Sequence, residues 1–379
     1  MNRWGKLIPL TLLFSLALVC GAWLQKQQIF MNARRVIRGL PLKPADPSLS
    51  ILLWNTRQPQ RPSYPLDGLS LPEILANRKL YQEKIRDLLG TQRYPLQFRP
   101  PIEIAEKKTL GQLTREKILI ETEPGLKIPF YLFLPADTDQ KNNPVILVLH
   151  GHSAGKIETA GILDSYQHGN ALSLAQAGYV TIAPDFRGFG ELGWTGNWDD
   201  PIGHAYGRNI HIQDVLSNLE RGRTALGTYL YDLRHILNYV KTRKNVDQHR
   251  IGIAGTSMGA DVALWFTLLN TDIHAAVISH PPMLSLPITP HESNSLHPCV
   301  GTIPELNLFF NPTEIPLLAA PIPLQLSVHT SPQSKENARK VEWLYKTSGN
   351  TDKFSYTATS SGEDFDNAAA IEWFEKWLK

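Results

Sequence analysis

The sequence predicts an α/β protein: a mostly parallel, doubly wound sheet with an antiparallel N-terminal hairpin and helices on both faces. Three observations carry that prediction. Residues 145–149, 179–183, 251–254, 275–278 and 324–328 are short apolar runs of the kind buried on both sides, and helical segments separate most of them. Ile118, Leu119 and Ile120, then a Pro124-Gly125 turn, then the alternating Ile128, Phe130, Leu132 and Leu134 read as an antiparallel hairpin ahead of the parallel strands. The run 251–254 leads into Gly255-Thr256-Ser257-Met258-Gly259, and a helical stretch follows over 260–269.

The N-terminus carries a targeting or anchoring segment. Arg3 and Lys6 precede an uncharged stretch whose apolar part, residues 7–24, would span about 27 Å as a helix, close to a bilayer core. A signal cleaved before Trp23, with Cys20 and Ala22 as the small flanking residues, and an uncleaved anchor are both compatible with it. The expected organisation is therefore a signal peptide or membrane anchor over 1–25, a Pro-rich linker over 26–71 and one α/β domain over 72–379. The linker is interrupted by Pro41, Pro44, Pro47, Pro59, Pro62 and Pro65. The corresponding location is at a membrane through the N-terminal helix, or exported to the periplasm or beyond if the signal is removed.

The domain opens with a helix from Pro72 to Leu89, stopped by Gly90. Its longest later helix is expected over 219–242 and its last over 367–378, where Ile371, Phe374 and Leu378 form one stripe. Between strand and helix, 185–198 and 281–321 are long loops rich in Gly, Pro and Trp. In a sheet of this type the pocket lies where such loops leave the carboxyl ends of the strands.

Composition removes several function classes. With 38 basic against 35 acidic side chains and no long run of either sign, nucleic acid is not an expected partner. The two cysteines, Cys20 and Cys299, do not make a disulfide framework, and neither CxxC nor HExxH occurs, so no metal is implied. No cofactor is expected either.

Ser257 is the candidate nucleophile. A sharp turn between strand and helix needs small residues around the serine, which Gly255 and Gly259 supply, and it aims the hydroxyl into the pocket beside a helix N-terminus. Oxyanion donors are expected from the Met258 N–H and from the His150-Gly151-His152-Ser153 turn after strand 145–149, at Gly151 or His152. His150 precedes the serine in the chain and reads as a support of that turn. Asp185 and Arg187 in Asp185-Phe186-Arg187-Gly188-Phe189-Gly190 read as a structural ion pair.

From about Tyr81 to Lys379 the chain resembles the dienelactone hydrolase and acetyl xylan esterase branch of the α/β-hydrolases. The resemblance rests on Leu88-Leu89-Gly90, His150-Gly151-His152, Ala183-Pro184-Asp185 with Arg187-Gly188-Phe189-Gly190, Val246-Asp247 before Arg250-Ile251-Gly252, the serine elbow, Ala320-Pro321-Ile322-Pro323-Leu324 and Glu372-Trp373-Phe374. It implies the α/β-hydrolase fold and a serine hydrolase of carboxylic esters, with a small-molecule or carbohydrate ester as substrate. It also implies an acid after strand 324–328 and a histidine in the turn before the last helix.

This chain departs from that pattern at both places. His329-Thr330-Ser331-Pro332-Gln333 follows the strand without a carboxylate, and Glu363 stands where the histidine is expected. A serine hydroxyl needs a nearby base, a role that imidazole fills because it titrates near neutrality. Two arrangements restore one: His329 as base with Glu363 as its orienter, or His280 at the end of strand 275–278. If neither forms, Glu363 is the only base left at a family position, and the alternative is an inactive relative kept as a binding module.

Overall fold

The computed structural model describes residues 62–94, 100–136, 142–193, 213–285, 298–360 and 362–379. The N-terminal segment over 1–25 lies outside these residues. Among the described residues no helix is long and apolar enough to cross a membrane.

Among the described residues nine strands form one sheet in the order β1-β2-β3-β5-β4-β6-β7-β8-β9. These are β1 (Ile102–Leu110), β2 (Leu113–Glu123), β3 (Leu126–Pro135), β4 (Asn143–Leu149), β5 (Val180–Pro184), β6 (Val246–Thr256), β7 (Ile273–Ser279), β8 (Leu324–His329) and β9 (Phe354–Thr359). β1, β2 and β3 are antiparallel, β3 runs antiparallel to β5, and every pairing from β5 through β9 is parallel. The fold class read from the sequence is therefore the observed one. Two strands exceed it. β1 is almost wholly exposed and β9 is short and polar, so neither carries a hydrophobic pattern to announce it.

The helices that pack on the sheet include α1 (Leu71–Leu88), α2 (Asn170–Gln176), α3 (Ala225–Lys241), α4 (Met258–Leu269), α5 (Pro332–Thr347) and α6 (Asn367–Leu378). Side chains of α1, α3, α4 and α5 share one core with one face of the sheet, while those of α2 and α6 join the core on the other face. α1 is closed by a Ser70–Glu73 capping box and ends ahead of Gly90, whose φ of 69° suits glycine. α3 starts later than the sequence pattern suggests, because Gly222 (φ 67°) breaks the chain and Thr224 caps the new helix by accepting the Gly227 N–H.

Helix α5 was not apparent in the sequence. Ser331 caps it, Pro332 occupies its first turn, and its inward stripe mixes polar Ser334 and Asn337 with Ala338, Val341, Leu344 and Tyr345. The linker also ends earlier than Leu71. Leu66 is fully buried, its N–H donates to Glu314 Oε2 (3.0 Å), and Tyr64 packs on Phe309 and Phe310, so residues 62–70 belong to the packed unit.

Register decides where the site forms. Leu149 pairs Gly255, Thr256 pairs Ser279, Ser279 pairs Ser327, and His329 pairs Thr359. Ends of five strands are thus level, which sets the turn after Leu149, Ser257, His280, His329 and the segment after Thr359 along one edge of the sheet.

Candidate active site

Ser257 sits at φ 54° and ψ −124°, a backbone conformation that costs a β-carbon-bearing residue on the order of 1–3 kcal/mol. Its surroundings enforce it. A side chain at Gly255 would place its Cβ 2.1 Å from Gly259 O, and one at Gly259 would meet Leu149 O and His150 O at 2.4 Å. The Ser257 N–H completes the ladder to Ser279 O (2.8 Å), while its carbonyl accepts from Ala260 (2.8 Å) and so starts α4. All twelve residues of α4 are buried. Met258 contributes the first N–H of that helix, for which no intrahelical acceptor exists, and it points with the helix dipole toward the serine.

His150 is fully buried and fixes the facing turn. Its Nε2 accepts the Phe186 N–H (3.1 Å), so Nδ1 carries the proton and donates to Gly151 O (2.7 Å). Burial pushes this imidazole below its ordinary value, which keeps it neutral. It supports the turn and is not a base.

Gly151 corrects one expectation. Its N–H donates to Gln167 Oε1 (3.0 Å), so that amide is already engaged and the Gly151 position is unsuited to an oxyanion. Gln167 is buried with Glu158, and its Nε2 donates to Glu158 Oε2 (2.9 Å) and to Ser153 Oγ (3.0 Å), while Glu158 Oε1 accepts the Ala154 N–H (2.8 Å). The turn from Gly151 to Ala154 is therefore clamped by side chains that carry no local sequence signal. His152 stands edge-on to Phe189, with ring centres 5.0 Å apart.

A second correction concerns Asp185. It does not pair with Arg187. Its Oδ2 receives Lys156 Nζ (2.6 Å) and its Oδ1 the Lys156 N–H (2.7 Å), with both side chains fully buried. Arg187 instead binds Asp232 (2.7 Å) and Glu123 (2.6 Å). Two positions apart on a tight turn, the two side chains reach different partners, so sequence proximity misassigned them.

The three remaining site candidates come together at the ends of β7, β8 and β9. His329 Nε2 lies 3.8 Å from Glu363 Oε1, and the His280 and His329 rings are 4.9 Å apart. His280 holds Ser279 Oγ with Nδ1 (3.0 Å) and Thr359 Oγ1 with Nε2 (2.7 Å), which occupies both of its nitrogens. Among the described residues no hydrogen bond joins the Ser257 side chain to either ring. The Glu363 carboxylate also acts electrostatically on two further groups. After burial, which dominates both shifts, it helps to push Tyr166 and the fully buried Asp261 of α4 upward.

Burial and then the neighbouring His329 lower His280 to about 4 from an ordinary 6.5. A depressed value contributes stability that is complete above pH 6.5 and is lost as pH falls through about 4. Urea unfolding at a series of pH values should show a decline of on the order of 1–2 kcal/mol across that window, after allowance for solvent screening. His280→Asn, which tolerates the residue's φ of 54°, should flatten the decline.

Comparison with known proteins finds the same fold. A structure from Bacteroides fragilis NCTC 9343, described as an acetyl xylan esterase, superposes with a TM-score of 0.67 at 19% identity, covering 89% of this chain and 90% of that one. A glucuronoyl esterase from Solibacter usitatus superposes with a TM-score of 0.55 at 15% identity, covering 81% and 93%. YtaP of Bacillus subtilis (strain 168), assigned by name to the hydrolases, is 27% identical over 285 residues, 69% of this chain and 88% of its own length. The profile of the Abhydrolase family matches residues 71–281, more than half of the chain and the part that carries the turn after β4 and the Ser257 elbow, and the protein belongs to that family.

Proposed function

We propose that this protein is a serine hydrolase of carboxylic esters with Ser257 as its nucleophile. The observation that carries the reading is the backbone of Ser257, a strained turn enforced by Gly255 and Gly259 at the head of a buried helix. Such strain persists where a reactive hydroxyl must be held against a strand end.

In this reading Ser257 Oγ attacks the acyl carbon while its proton passes to the Glu363 carboxylate, with the His329 imidazole behind it. The Met258 N–H and the turn at His152 stabilise the oxyanion. Collapse breaks the bond to the alcohol, which leaves with the proton from Glu363, and a water activated by the same carboxylate releases the acid. The 3.8 Å between His329 and Glu363 closes to a hydrogen bond in the substrate complex.

The substrate is a small-molecule ester. The names of the structural neighbours, acetyl xylan esterase and glucuronoyl esterase, support an ester borne on a carbohydrate. The apolar N-terminal stretch supports export or membrane tethering, which fractionation of cells expressing the full chain would test. No observation favours the binding-module alternative.

The reading is tested with a fluorophosphonate probe and a p-nitrophenyl ester. Wild-type protein should label and turn over the ester, and Ser257→Ala should do neither. Equal labelling and equal turnover of the two proteins would remove Ser257 from the mechanism.

A further inference from the structure

We propose that the Tyr166 hydroxyl is a hydrogen-bond donor to the oxyanion, a catalytic residue outside the usual backbone donors. The inference rests on the serine-hydrolase reading above and names a further part of that same site.

Placement is the first argument. A Cβ built on Gly151 would lie 2.0 Å from Tyr166 Oη and 3.1 Å from Thr256 O, the carbonyl just before the nucleophile. The phenol oxygen and the elbow therefore border the same side of Gly151. The glycine is required there because any side chain would displace the hydroxyl. Since the Gly151 N–H is committed to Gln167 on its other side, the turn has exchanged an amide donor for a phenol at this point.

Proton accounting is the second. Gln167 Nε2 has two hydrogens, one donated to Glu158 Oε2 and one to Ser153 Oγ. Ser153 Oγ also accepts the Gly155 N–H at 3.4 Å, so its lone pairs are used and its own proton is left to donate. That proton is the one Ser153 can offer to the phenol of Tyr166, on which it acts to lower the titration against burial. Donated there, it fills an acceptor site of the phenol and leaves the phenol's own O–H for a ligand. Burial first, and the Glu363 and Glu158 carboxylates after it, hold Tyr166 above its ordinary value, so it stays a neutral donor across the working pH range.

Anchorage is the third. The Phe365 N–H donates to Tyr166 O (2.9 Å), tying Tyr166 to the turn that carries Glu363, and the next residue, Gln167, is buried in the clamp. The hydroxyl is fixed relative to both the oxyanion turn and the base, as a preorganised donor must be.

The test compares wild type, Tyr166→Phe and Ser153→Ala. Tyr166→Phe should lower kcat for a p-nitrophenyl ester by about 10²-fold with KM within about threefold. Its affinity for a trifluoromethyl ketone, which forms a tetrahedral adduct, should fall by a similar factor, while binding of the matching unreactive amide and the Tm stay unchanged. Ser153→Ala, which removes only the orienting bond, should show the same pattern at about tenfold. A kcat within twofold of wild type in Tyr166→Phe, or equal losses for ketone and amide, would overturn the role of Tyr166 while Ser257-dependent turnover stands. Wild-type protein with no Ser257-dependent turnover would overturn both readings together.

Discussion

Glu363→Gln is expected to lower kcat/KM for an ester by about 10²- to 10⁴-fold, the range for loss of a general base. The substitution keeps size and shape but removes the carboxylate that faces His329 in the turn after β9, where Asp364 pairs with His168 and Asp366 caps α6. Glu363 is partly exposed, so the fold should be unaffected, and circular dichroism with a thermal melt would confirm that the loss is chemical. His329→Asn should cost less, on the order of tenfold, because it removes support from the carboxylate without removing the proton acceptor. If Glu363→Gln keeps activity within threefold of wild type, the base lies elsewhere.

The second large effect is on stability. Asp185→Ala should destabilise the fold by about 3–5 kcal/mol in urea unfolding, the cost of stranding a buried charge. Lys156 has a fully buried side chain, and burial alone would lower its value. Asp185 and Glu191 outweigh that and hold the ammonium above its ordinary range. With Asp185 gone, the ammonium keeps one carboxylate, the partly exposed Glu191, and the face of the Tyr131 ring at 5.2 Å. Lys156→Met should cost less, because Asp185 would still accept the backbone N–H groups of residue 156 and Glu191 (2.7 and 3.1 Å). Ester turnover should fall along with stability, since Lys156 follows the oxyanion turn directly.

The central strands and the elbow were legible because buried parallel strands leave continuous apolar runs and the turn between strand and helix demands glycine on either side of Ser257. β1, β9 and α5 were not legible. β1 buries almost nothing, β9 is short and polar, and α5 turns one narrow stripe inward, so each depends on pairing or packing partners distant in sequence. The same division holds in the site. Ser257, Met258, His329 and Glu363 stand at strand ends whose order the topology dictates. Gln167, Glu158, Tyr166 and Lys156 are ordinary polar residues until folding carries them under the turn from Gly151 to Ala154. Their one trace in the sequence is an unusual density of hydrogen-bonding residues after that turn, which by itself looks like a surface loop.

Helix α4, buried along its whole length behind Ser257, bears on how the protein loses activity. A nucleophile mounted on a mobile lid can be disabled by local fraying. Ser257 is mounted on a helix buried along its whole length, whose amides are expected to exchange with water mainly when the domain opens. Heat inactivation and loss of tertiary structure are then one event, and gradual tuning of the reaction falls to the surrounding loops.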